Sequence, residues 1–200
     1  MRSTLLTSLA LSAIVSSIHG GEYNLKLSVG DTAPAWKDLT GTDGKTHSLA
    51  DFADSPAVLV VFTCNTCPTA NDYEDRIEAV KKKYAGKLAV VAINVNTIVG
   101  DRLPAMTERA TDRKYTYPYL SDPSQKIAKA YGAEYTPEFF VLDKARKVVY
   151  MGAMDDKSKA SDVRENYLEP AIEAALAGKA APKGETIARG CRIRWLRESK

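Results

Sequence analysis

Two unbroken apolar runs, Ala57 to Thr63 (A-V-L-V-V-F-T) and Leu88 to Asn94 (L-A-V-V-A-I-N), stand out from a chain that is otherwise mixed in polarity. Both have strand length, are rich in β-branched residues and show no polar alternation, which is the pattern of strands covered on both faces. Between them Tyr73, Ile77, Val80 and Tyr84 recur at helical spacing, with Asp72, Glu74 and Asp75 near the start, Lys81 to Lys83 near the end and Gly86 beyond. Acids first, bases last and a closing glycine suit the helix dipole, so a helix is expected after Pro68. Leu103, Met106 and Ala110, with Pro104 in the first turn, predict another. Strand, helix, strand, helix is the order of an α/β domain.

The flanking segments carry shorter signals. From Gly30 to Phe52 turn residues alternate with short apolar runs, and Gly41-Thr42-Asp43-Gly44 predicts a hairpin entering the domain. Ser121-Asp122-Pro123 caps a short helix through Ile127 and Tyr131 that stops at Gly132. Glu138 to Leu142 and Lys147 to Met151 read as an antiparallel pair. A last helix is expected from about Ser161 to Leu176, with Val163, Tyr167, Leu168, Ile172 and Leu176 inward and a bend at Pro170. Residues 178–184 read as a loose linker. The basic tail beyond contains Cys191, Ile193 and Trp195, so part of it is expected to dock. Trp36 and Trp195 are most simply core or docking aromatics.

The first twenty residues form a different unit. Arg2 precedes an apolar stretch from Leu5 to Val15, followed by Ser16, Ser17, His19 and Gly20. That is the anatomy of a cleaved signal peptide, and the stretch is far short of the roughly 20 residues that span a bilayer. We therefore expect a signal peptide over 1–20, one domain over 21–178, a basic tail over 179–200, and a periplasmic or secreted mature protein without stable membrane insertion. Composition adds limits. With 28 basic and 25 acidic residues among 200, the net charge is +3. Loss of Arg2 with the leader lowers it to +2, so no nucleic-acid surface is indicated. Three cysteines and two histidines are too few and too scattered for a closed zinc site. No metal or other cofactor is expected.

The chemistry sits at Cys64-Asn65-Thr66-Cys67-Pro68, where the first apolar strand gives way to a helix. Free amides of the first helical turn lower a cysteine pKa, only the thiolate attacks a disulfide, and a second cysteine three residues on can displace the first. On this view Cys64 is rich in thiolate and Cys67 stays protonated one turn deeper. A structural disulfide is disfavoured because so short a loop gains little from closure, and half a metal site lacks partners, since His47 is the only mature histidine. His47 itself reads as a surface or hydrogen-bonded residue. Cys191 is open between an incidental thiol, a third redox thiol reached by the tail, and an intermolecular bridge.

Residues Gly30 to Leu176 resemble the thioredoxin-like redoxins of the alkyl hydroperoxide reductase and thiol-specific antioxidant (AhpC/TSA) group, which includes exported thiol-disulfide oxidoreductases. The matching segments are G-D-T-A-P-A-W, D-G-K-T-H-S-L-A-D-F, V-L-V-V-F-T-C-N-T-C-P, Y-P-Y-L-S-D-P-S-Q-K-I-A-K-A-Y-G-A and Y-T-P-E-F-F-V-L-D. The resemblance implies a central mixed β-sheet flanked by helices, with the hairpin as an N-terminal extension. It also implies that Cys64 is the exposed nucleophile and Cys67 the resolving thiol of a redox-active disulfide. Thr136-Pro137 becomes the cis-proline turn whose backbone aligns a substrate strand. Partners would be protein or small-molecule disulfides and an unidentified reductase or oxidase. Thr63 replaces the aromatic that usually precedes the first cysteine in thioredoxins, and Asn65-Thr66 replaces their dipeptide. The peroxidase branch has proline and threonine where this chain, counted from Cys67, has Val60 and Cys64. Cys67-Pro68-Thr69 still resembles the peroxidase stretch, which leaves a thiol peroxidase with Cys67 as the peroxide-reacting thiol as the alternative.

Overall fold

The computed structural model describes residues 20–197, so residues 1–19 of the expected leader lie outside the described residues. A hairpin comes first, β1 (Leu39–Gly41) and β2 (Thr46–His47), closed by the Gly41 N–H on Lys45 O. Then follow β3 (Ala57–Thr63), α1 (Pro68–Asn71), α2 (Glu74–Lys83), β4 (Leu88–Asn94), α3 (Leu103–Asp112), β5 (Tyr119–Ser121) and α4 (Lys126–Tyr131). The last elements are β6 (Tyr135–Thr136), β7 (Glu138–Leu142), β8 (Val148–Gly152), α5 (Leu168–Leu176) and β9 (Cys191–Arg192).

Seven strands form one mixed sheet in the order β2-β1-β5-β4-β3-β7-β8. β3 runs parallel to β4 and antiparallel to β7, so it is central, as its unbroken apolar run requires. Alternate β3 residues serve opposite layers. Leu59 and Val61 pack with Tyr73, Ile77, Met106 and Ile172, whereas Val58, Val60 and Phe62 pack with Trp36, Tyr131 and Phe140. Leu59 is fully buried, and shortening such a side chain to alanine costs about 2–5 kcal/mol. Among the described residues no helix is long and apolar enough to cross a membrane.

Four local expectations are corrected. The helix after Pro68 is two helices, because Tyr73 N–H closes a tight turn onto Ala70 O and its ring turns inward, 1% exposed, with its hydroxyl on Asp155 Oδ1. The last helix begins at Leu168, not near Ser161, because the Asp156 carboxylate takes the N–H groups of Arg164 and Glu165 and draws that stretch into a loop. Pro170 then falls in the first turn, where a missing N–H is harmless, and has no interior hydrogen bond to break. β5 was not anticipated, its three residues being too short for a periodic signal. The segment expected as a loose linker is anchored, since Met151 N–H binds Gly184 O and Thr186 N–H binds Met151 O, each at 3.1 Å.

Candidate active site

The register of the central strands assembles the site. Phe62 of β3 lies opposite Glu138 of β7, so continuing both chains by two residues sets Cys64 against Thr136. Cys64 Sγ is 3.3 Å from Thr136 Oγ1, and Cys67 Sγ is 3.0 Å from Thr136 O, to which it donates when protonated. Cys67 is the N-cap residue of α1, its sulfur accepting Ala70 N–H at 3.4 Å, and Pro68 occupies the first helical position. The Thr136–Pro137 bond is cis. The structure thus brings Cys64, Cys67, Thr136 and Pro137 together.

It also brings Cys191. β9 pairs antiparallel with β6 in a small second sheet, with Cys191 opposite Thr136 and Arg192 opposite Tyr135. Cys191 packs against the cluster of Cys64, Cys67 and Ala70. The expectation of an exposed Cys64 is corrected by this docking, for Cys64 is 3% exposed, Cys67 1% and Thr136 fully buried. The backbone edge beside Pro137, expected to align a substrate strand, is occupied by the chain's own tail. All three cysteines are free thiols.

The order of thiol acidity is the reverse of the sequence expectation. A hydrogen bond between the Cys64 and Cys67 sulfurs favours the Cys67 thiolate and opposes ionisation of Cys64. Cys67 Sγ further gathers the Cys191 thiol, Ala70 N–H and Cys191 N–H, and these hold its pKa below the ordinary value despite burial. Burial and the Asp101 charge push Cys64 up as well. The reversal comes first from the hydrogen bond between the two sulfurs, and the amide of the first helical turn adds to it because it reaches the capping sulfur of Cys67. Cys191 is pushed up to about 11 by burial and by its bond to Cys67.

Asp101 is the functional residue that the sequence did not reveal. It is 1% exposed, and its carboxylate accepts Asn65 N–H at 2.8 Å, Thr66 N–H at 3.0 Å, the Thr66 hydroxyl at 2.7 Å and Asn96 Nδ2 at 3.2 Å. Asn65 Nδ2 donates to Gly100 O, and Tyr119 OH donates to Asn65 Oδ1. The dipeptide between the cysteines is therefore fixed by one buried acid and by β5. A lone acid after Gly100 has no periodic or motif signal, and only the buried contact identifies it. His47 pairs with Asp43 on the hairpin at 3.0 Å, away from the thiols. Among the described residues no group of three or more His, Cys, Asp or Glu is arranged to hold a metal.

A dithiol at the end of a central strand, facing a proline turn that opens the neighbouring antiparallel strand, belongs to a thioredoxin-like fold. The pattern that defines the Redoxin family matches residues 28–167, and this chain belongs to that family. A solved hypothetical protein of Sinorhizobium meliloti 1021 is 36% identical, with TM-score 0.79, covering 85% of this chain and 96% of that one. The thiol-disulfide oxidoreductase ResA of Geobacillus thermodenitrificans (strain NG80-2) is 26% identical over 152 residues, 74% of this chain and 83% of its own. A protein of Mycobacterium tuberculosis (strain CDC 1551 / Oshkosh), provisionally named a peroxiredoxin, is 28% identical over 112 residues, 54% of this chain and 66% of its own.

Proposed function

We propose that this oxidoreductase exchanges its Cys64/Cys67 dithiol with protein or small-molecule disulfides. One observation carries the reading: both sulfurs meet the Thr136–Pro137 turn, Cys67 Sγ at 3.0 Å from Thr136 O and Cys64 Sγ at 3.3 Å from its hydroxyl. Cys67, the favoured thiolate of the pair, takes the Cys64 proton as Cys64 attacks one sulfur of the substrate disulfide. The first leaving thiolate picks up a proton, Cys67 displaces the second sulfur, and the substrate leaves as two thiols while Cys64 and Cys67 become a disulfide. Tail displacement exposes Cys64 for the attack. The leader points to an exported location, and the sequence of the exported protein is expected to begin near Gly20 or Gly21. An electron partner, reductase or oxidase, resets the pair.

Cys64→Ser is expected to abolish reduction of a test disulfide, and Cys67→Ser to trap a mixed disulfide at Cys64. A Cys64→Ser protein that still reduces the disulfide, or a Cys67→Ser protein that traps no adduct at Cys64, refutes the reading. A second reading, peroxide reduction at Cys67, draws on the favoured Cys67 thiolate and on the Cys67-Pro68-Thr69 stretch. It requires that Cys67→Ser alone abolish peroxide consumption and that sulfenic acid form at Cys67 in the Cys64→Ser protein.

A further inference from the structure

The tail is seated by contacts specific to residues 190–196. A Cβ on Gly190 would stand 2.1 Å from Thr136 O and 3.0 Å from Pro137 N, so only glycine lets the strand approach this closely. Ile193 is 4% exposed and donates its N–H to Glu134 O at 2.9 Å. Gln125, 1% exposed, grips the tail twice, donating to Arg194 O at 2.9 Å and accepting Leu196 N–H at 2.7 Å. Asn96 Oδ1 accepts Arg194 N–H, the Arg192 guanidinium lies over the Tyr135 ring, and Lys129 lies over Trp195. Two buried amide side chains bonded to tail backbone are a built receptor for an extended strand. The register then puts Cys191 opposite Thr136, where it packs against Cys64, Cys67 and Ala70.

We propose that β9 is a tethered occupant of the substrate edge and that Cys191 is a third redox thiol, taking over the Cys64–Cys67 disulfide as Cys67–Cys191. The proposal rests on the dithiol reading above and extends it. Once a substrate disulfide has oxidised Cys64 and Cys67, Cys191 lies against a disulfide instead of a thiolate. Cys191 gives up its proton, its sulfur attacks Cys67 Sγ, and an S–S bond forms there as the Cys64–Cys67 bond breaks. The departing electron pair stays on Cys64 Sγ, which takes up the proton. No electrons enter or leave: the oxidising equivalent moves to the tail, and Cys64 is a free thiol again.

The test uses the full chain, reduced and then given a stoichiometric amount of oxidised glutathione, quenched in acid, alkylated and digested with trypsin. Cleavage after Arg189 and Arg192 releases Cys191 on a peptide separate from the one carrying Cys64 and Cys67. Wild type is expected to give that peptide linked to Cys67 alongside the Cys64–Cys67 form, whereas Cys64→Ser, which cannot form the disulfide that Cys191 takes over, is expected to give neither link. Gly190→Ala is expected to reduce the link about tenfold or more while Cys64–Cys67 still forms, with Ile193→Ala as an independent way to loosen the strand. If Cys191 is recovered alkylated throughout while Cys64–Cys67 forms, the inference fails and the dithiol reading stands. A Cys191–Cys191 link between two chains also overturns it. If all three cysteines are alkylated and glutathione disulfide is not consumed, the dithiol reading itself fails and the third thiol with it.

Discussion

Glu138, next to Pro137, offers a test of the site's support that involves no thiol chemistry. It is 6% exposed, and its Oε2 accepts Glu134 N–H at 2.9 Å and Tyr135 N–H at 3.0 Å. Burial outweighs those two bonds and, with the charges of Glu134 and Glu185, raises its pKa from the ordinary 4.5 to about 7. The sign follows from linkage. Below pH 4.5 the group is protonated in both the folded and unfolded chain, and it costs nothing. Between 4.5 and about 7 the unfolded chain ionises while the native chain resists, so stability falls as pH rises. Above that range the full penalty applies, about 3 kcal/mol at 1.36 kcal/mol per pKa unit. Glu138→Gln keeps an oxygen for both N–H donors and removes the ionisation. Urea unfolding of variant and wild type, followed by circular dichroism at pH values on both sides of this range, is expected to show the stability difference shifting toward the variant by about 3 kcal/mol from the acid to the alkaline side. A difference that stays constant across the interval refutes the assignment of a buried, late-ionising Glu138.

Further expectations follow from the same contacts. Asp101→Ala strips the Asn65 and Thr66 amides of their acceptor and is expected to lower stability by about 2–4 kcal/mol in urea unfolding, with slower disulfide exchange; a loss below about 0.5 kcal/mol would remove Asp101 as the support of the cysteine loop. Thiolate absorbance in the reduced chain is expected to titrate below the ordinary cysteine range, to persist in Cys64→Ser and to vanish in Cys67→Ser; the opposite pattern would return the acidic thiol to Cys64. Gln125→Ala, which frees the tail backbone at Arg194 and Leu196, is expected to raise alkylation of Cys64 by about tenfold, whereas an unchanged rate would show that the tail does not control access.

The sequence made the sheet centre legible because β3 and β4 are covered on both faces, and their composition reports that directly. The meeting of Cys64 with Pro137 was carried by the family resemblance, and the Phe62↔Glu138 register supplies its physical reason. Elements held by side-chain hydrogen bonds were not legible. The Asp156 loop that postpones α5 and the Asp101 network around Asn65 both arise from single polar residues whose partners are distant in sequence. The burial of Cys64 escaped detection for a related reason. Composition showed that the tail carries apolar residues, but only the Gly190 approach and the Gln125 clamp determine where it lies.

Thr136 joins all of these parts: its carbonyl meets Cys67, its hydroxyl meets Cys64, and its strand pairs with Cys191. Tail seating and the oxidation state of the dithiol are therefore two corners of one thermodynamic square. Lifting the tail removes the Cys191 donors at Cys67, and forming Cys64–Cys67 removes the thiolate that those donors serve. Whatever factor seating contributes to the reduced over the oxidised pair, reduction must return to seating, because the two paths around the square share their end points. A change in the tail's affinity for its groove, made at Gln125 without altering any sulfur, is thereby also a change in the electron affinity of the site.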